Sequence, residues 1–172
     1  GNDAIALLRG LRAVRAYLEQ PVTEQALQEI LEVGRWSGSA SNKQPAEVVV
    51  VRDKAAKQKL TEYGSNPSAS AAVALVIITP AEAERAELNS FDEGRLAERL
   101  CLAASAQGLG SCISSLKGEG PEGARQLLGI PAGRRARFVV TVGYTDEQAL
   151  RARPKVPQPR KPAGEFVHWE RF

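Results

Sequence analysis

A chain of 172 residues, 43% hydrophobic and 25% charged, with a net charge of +3, has the composition of one ordinary globular domain. Its longest apolar run, AAVALVII (71–78), is far too short to span a bilayer. Two cysteines in separate segments and a single histidine exclude a disulfide framework and a zinc site, and with no charged-then-apolar leader the expected address is the cytoplasm.

The first segment, DAIALLRGLRAVRAY (3–17), spaces Ile5, Leu8 and Leu11 as one helical face, with Gly10 as its weak point. On such a helix Arg12 and Arg15 stand one turn apart. EQPVT (19–23) breaks the pattern, and Thr23 caps a second helix whose apolar face is Leu27, Ile30, Leu31 and Trp36. RWSGSASNKQP (35–45) then offers small hydroxyl and amide side chains in a connection that needs far fewer. Such a loop suits close approach to something polar and flat. EVVVV (47–51) reads as a buried strand, and DKAAKQKLTEY (53–63) as a helix capped by Asp53.

GSNPSAS (64–70) is a loop and AAVALVIIT (71–79) a second buried strand. FDEGRLAERLCLAASAQGLG (91–110) is the longest helix, striped by Leu96, Leu100, Ala103, Ala104 and Gln107 and ended by its glycines. SCISSL (111–116) is a short strand, PEGARQLLGI (121–130) a helix opened by Pro121, and RARFVVTVGY (135–144) a strong strand. From about residue 150 to 172 the chain is rich in proline and cations and is expected to run extended over the surface or over a partner. Strands separated by helices and apolar on both faces predict one α+β or α/β domain over 1–172, with helices on both sides of its sheet.

Chemistry follows largely by exclusion. His168, beside the C-terminus, is poorly placed for a nucleophile triad. GLGSCI lacks the third glycine of a dinucleotide fingerprint and follows a helix instead of opening one. No Walker-type GK[ST] occurs. Cations crowd the last third: Arg134, Arg135, Arg137, Arg151, Arg153, Lys155, Arg160 and Lys161, a bias that invites an anionic partner. Nucleic acid fits it poorly, because no aromatics interleave with these cations until Phe166. A protein poor in acid–base side chains but supplied with donors and cations suits a cofactor that carries the reactivity, and a flavin is compatible with that inventory.

Four segments, in order, resemble the FMN-dependent nitroreductase family. LRAVRAY is similar to its RRSVR start, RWSGSASNKQP to its RWAPSGSNxQPW loop, EGRLAERLCLAASAQGLGSCISSL to its LAAxxLGLGT helix and strand, and PRKPAGEFVHWERF to its RKPLEEVVHW tail. The resemblance implies an α+β fold with a mixed central sheet covered by helices on both faces, in an intertwined homodimer binding FMN at its interface, with NADH or NADPH as hydride donor and an electron-poor small molecule as acceptor. It implies that Arg12 faces the phosphate and Arg15 the N1/O2 edge, where negative charge develops on reduction. Ser39, Ala40 and Asn42 would line the flavin, often that of the other subunit; Ser114 and Ser115 would place backbone amides near N5; Arg160 and Lys161 would close on the phosphate.

Four positions depart from the family pattern. Leu11 and Ala13 stand where an arginine and a serine are usual, Gly38 replaces a proline and Ala46 an aromatic. Losing two polar groups at the phosphate end weakens the expected FMN affinity, for which Arg9 is a candidate compensation. A flavin-sequestering protein of the same fold is therefore the second reading, and a nucleic-acid-binding module using the tail the third.

Overall fold

The computed structural model describes residues 2–152 and 160–172. Its strands are β1 (Glu47–Val51), β2 (Val73–Pro80), β3 (Gly110–Ser115) and β4 (Arg134–Gly143), paired in the order β1-β2-β4-β3. All three pairings are antiparallel. A parallel bridge between Ala13 and Ser111 sets the N-terminal segment beside β3, outside the named strands; the four strands themselves form an antiparallel sheet where a mixed one was expected.

The long helices are α1 (Asn2–Gly10), α2 (Glu24–Arg35), α3 (Lys54–Glu62), α4 (Ala86–Ala106) and α5 (Gly120–Leu127). The Thr23 hydroxyl accepts from Ala26 N at 3.2 Å and the Asp53 carboxylate from Ala56 N at 2.8 Å, so the two predicted N-caps set the starts of α2 and α3. Every residue of β2 up to Thr79 is buried, which requires cover on both faces. Leu27 and Ile30 of α2 and Leu96 and Leu100 of α4 close on Leu75, Ile77, Val140 and Val142. On the other face Leu60 and Ala124, from α3 and α5, pack against Ala74, Val76, Ile78 and Val139. The alternation of successive strand side chains puts these sets on opposite faces.

Four further expectations change. The edge strand β1 is only partly buried, with Val50 exposed, and Trp36 is exposed at the C-terminal end of α2, not on its apolar face. Of the two larger changes, the first is that the opening helix stops at Gly10, and residues 11–18 run alongside the sheet: Val14 N donates to Ser111 O (2.7 Å) and Leu18 N to Tyr144 O (2.9 Å). Gly10 and the β-branched Val14 favour this change, and Gly110 makes room for it, since a Cβ there would lie 2.8 Å from Val14 Cγ1. Arg12 and Arg15 are therefore not one helical turn apart. The second change concerns the tail, which is not wholly extended: α6 (Glu147–Ala152) is capped by Asp146, whose carboxylate accepts from Ala149 N, and α7 (Ala163–Phe166) follows Pro162. Residues 160–172 are exposed throughout.

The basic bias of the last third is partly internal. Arg134 pairs with Glu47 at 2.5 Å, while Arg137 (2.7 Å) and Arg135 (3.7 Å) converge on Glu93, whose side chain is 1% exposed. The Thr79 hydroxyl donates to the same carboxylate. These three arginines hold β4 to β1 and α4. Arg153 and Lys155 lie outside the described residues, and Arg151, Arg160 and Lys161 are exposed.

Candidate active site

The end of α1 at Gly10 exposes helix carbonyls, and Arg12 folds back onto them, its Nη1 donating to Arg9 O (2.8 Å) and Leu11 O (2.7 Å). That fold opens a cleft of about 590 Å³. Arg9, Arg12 and Arg160 are its cations, and Leu8, Leu11 and Ala13 give one side an apolar surface. Ser111, Cys112 and Ile113 of the edge strand β3, with Glu98 and Cys101 of α4, form the other. Three guanidinium groups on one open cleft mark a site for an anion.

The outer edge of β3 contributes backbone groups. Ser111 O already bonds outward to Val14, and in an antiparallel ladder alternate residues bond the partner strand. Ile113 and Ser115 therefore present their amide and carbonyl groups on that outer edge. Ile113, 40% exposed, adds an apolar face that sequence reasoning passed over; a large aliphatic residue on an edge strand was the available signal.

The proposed site residues divide. Arg12 and Arg160, 148 positions apart in the sequence, line the same cleft, as does Arg9. Arg15 is exposed and outside the cleft lining; in extended chain it leaves on the side opposite to Arg12, toward Tyr17, whose phenol it influences. Ser114 turns its hydroxyl inward to Ser65 Oγ (2.6 Å), while Ser115 is exposed. Lys161 is exposed and does not line the cleft.

The small-residue loop lies elsewhere in the chain. Ser39, with Ser37, Gly38 and Gln44, lines a second cavity of about 350 Å³, floored by Leu31, Leu96 and Leu100. Ser39 Oγ accepts from Gln44 N at 2.8 Å and fixes the loop on itself. Ala40–Asn42 form a short 3-10 turn, and Ser41, Asn42 and Gln44 have φ near +50°, a left-handed conformation that costs non-glycine residues about 1 kcal/mol each. A Cβ at Gly38 would meet only the far end of the Arg95 side chain, which is flexible and partly exposed and can move aside. Arg95 in turn faces the buried Asp92 at 3.7 Å.

One buried acid, Cys101, lines the cleft, and another, Tyr17, lies outside it. Burial pushes the Cys101 thiol up to about 11, and burial likewise raises Tyr17 despite its hydrogen bond to Thr141. Neither group ionises near neutrality, so neither is a nucleophile there. In the unfolded chain cysteine ionises near 9, so between pH 9 and 11 the unfolded state binds fewer protons than the folded one and stability falls as pH rises. The expected loss from Cys101 is about 2–3 kcal/mol over that window. Urea titrations at pH 8 and 10 should show a smaller drop for Cys101→Ala than for the wild type.

Residues 8–71, which hold Arg9, Arg12, Arg15 and the small-residue loop, match the model of the nitroreductase family. The NADH dehydrogenase of Thermus thermophilus is 30% identical, over 92% of this chain and 91% of that protein. The NADPH-flavin oxidoreductase of Vibrio harveyi is 28% identical over 99% of this chain and 75% of its own. The solved structure of the V. harveyi NADPH:FMN oxidoreductase complexed with NAD+ superposes with a TM-score of 0.84 at 25% identity, covering 99% of this chain and 78% of that one.

Proposed function

The chain belongs to the nitroreductase family, and on that premise we propose that it is an FMN-dependent NAD(P)H oxidoreductase reducing electron-poor acceptors such as nitroaromatics and quinones by a ping-pong cycle. The observation that carries this reading is the convergence of Arg12 and Arg160 on one cleft beside the free edge of β3. The residues present fit FMN: cations for a phosphate, Ile113 and Leu11 for ring faces, and strand-edge amides for the ring's polar rim. When bound, FMN would supply the hydride chemistry at N5, first as acceptor from the nicotinamide and then as donor.

The chain's own part is binding and electrostatics. Arg12 and Arg160 hold the phosphate, with Lys161 as a second cation of the tail. The outward backbone groups around Ser114 and Ser115 orient the ring. Arg15 offsets charge at the N1/O2 edge, and an oriented cation in such a place lowers the barrier more than it strengthens binding. Arg15→Ala is thus expected to slow anaerobic flavin reduction by NAD(P)H about 10²-fold while changing FMN affinity only a few-fold, with stopped-flow absorbance as the check. A normal reduction rate with lost FMN would instead make Arg15 a binding residue.

Ser39, Ala40 and Asn42 lie on a different cavity from the arginines, and we assign them to the flavin of a second copy. The proposed assembly is a homodimer of single-domain subunits, 1–172, whose tails from about residue 150 reach across. Ile5 and Leu8 of α1 are 54% and 53% exposed, and Phe166, Trp169 and Phe172 are 79–105% exposed; apolar groups on that scale need a covering surface. Cytoplasmic residence goes with two buried free thiols.

Leu11 and Ala13 in the cleft wall favour one alternative, a flavin carrier with little turnover. The deciding experiment is to load the protein with FMN, desalt it, and record visible absorbance under argon before and after NADH or NADPH. Retained flavin that bleaches supports the oxidoreductase, retained flavin that does not bleach supports the carrier, and no retained flavin overturns both.

A further inference from the structure

We propose that Arg9 is a further ligand of the FMN phosphate, acting from the last turn of α1 where the neighbouring Leu11 and Ala13 offer no polar side chain. The proposal rests on the FMN reading above and adds a residue to it.

A guanidinium has five N–H donors, but Arg12 commits its Nη1 to the carbonyls of Arg9 and Leu11. Only its Nε and Nη2 remain for a ligand. Arg160 keeps its whole fork but hangs from the exposed tail. A phosphate monoester presents three terminal oxygens, each with several lone pairs, and nearly two negative charges at neutral pH, so it can accept from a further guanidinium held on a helix.

Arg9 completes the set. It lines the same cleft, and among the described residues it has no ion pair or side-chain hydrogen bond, as is also true of Arg160. Elsewhere the arginines on the sheet are paired with carboxylates, Arg134 with Glu47 and Arg135 and Arg137 with Glu93. In the cleft Arg9 and Arg160 line one space without a carboxylate partner among the described residues, and Glu98 is the one carboxylate residue among its lining residues. A dianion between Arg9, Arg12 and Arg160 relieves their mutual repulsion and uses the donors that the protein leaves open. Arg12 also ties the two sites mechanically, because its guanidinium is held by the backbone carbonyl of Arg9 itself.

Riboflavin lacks the phosphate and shares the ring, so it separates a phosphate ligand from a structural residue. Fluorescence titrations of FMN and of riboflavin should be run on the full chain as wild type, Arg9→Ala and Arg9→Lys. The expected result is that Arg9→Ala weakens FMN about tenfold to a hundredfold, the usual worth of one charge-assisted hydrogen-bonded contact, and leaves riboflavin unchanged. Arg9→Lys should recover part of the loss, and the salt dependence of FMN binding should flatten in Arg9→Ala. Equal weakening of both ligands, or unchanged FMN affinity, overturns the role of Arg9 while leaving the FMN reading intact. A wild type that binds neither ligand overturns the FMN reading and this proposal with it.

Discussion

Glu93→Ala should lower the thermal midpoint by about 10 °C and abolish the native state in moderate urea. The Glu93 carboxylate is 1% exposed and accepts from Thr79, Arg137 and, at longer range, Arg135. Removing one partner of a buried ionic network leaves the others charged and unsatisfied, a loss of about 3–5 kcal/mol. In a chain of this length 1 kcal/mol moves the midpoint by roughly 2–4 °C. Arg137 is also hydrogen-bonded to Ser90, and its Nε has no partner among the described residues even in the intact protein. Glu93→Gln keeps an acceptor for Thr79 and should sit between wild type and alanine. A Glu93→Ala protein as stable as the wild type by calorimetry would show that the site relaxes and admits water.

The second large effect is on the ligand. Arg12→Ala combined with Arg160→Ala should reduce FMN affinity by roughly 10²–10⁴-fold, from two charge-assisted contacts at about 1.5–3 kcal/mol each. The pair comes from opposite ends of the chain and meets in one cleft. Arg52→Ala combined with Lys59→Ala, which breaks only exposed ion pairs with Glu24 and Glu62, is the charge-matched comparison and should change FMN binding little. Equilibrium dialysis against FMN distinguishes the two. A double variant that binds like the wild type would place the phosphate elsewhere and dismantle the site.

What was legible in the sequence depended on how local its cause was. The caps Thr23 and Asp53, the β-branched runs of β1, β2 and β4, and the glycines after α4 act over a few residues and were readable. The early end of α1 was less so. Helical spacing continues through Leu11, and only contact with Ser111, nearly a hundred residues away, draws Val14 into the sheet. The same limit governed the cations. Arg134, Arg135 and Arg137 look like a basic patch in sequence, yet their carboxylates come from β1 and α4. Glu93 sits inside a run of polar residues, and nothing in its neighbours marks it as buried. In the candidate site, motif order picked out Arg12 and Arg160 but not Ile113, whose role comes from β3 being an edge strand. The separation of the Ser39 loop from the arginine cleft is a property of the folded chain that spacing along the sequence does not carry.

The strand order has a consequence for how this protein is made. β4 occupies an inner position between β2 and β3, yet of the four strands among the described residues it is the last to leave the ribosome. β2 emerges with only β1 to pair with, so Val73, Leu75, Val76 and Ile77, all fully or nearly fully buried in the finished fold, stay without their second neighbour until residues 134–143 follow. For that interval the nascent chain carries an apolar strand with an open edge, the condition that draws trigger-type chaperones and punishes slow translation or truncation. Chains cut short before Arg134 should therefore aggregate instead of persisting as a partly folded domain.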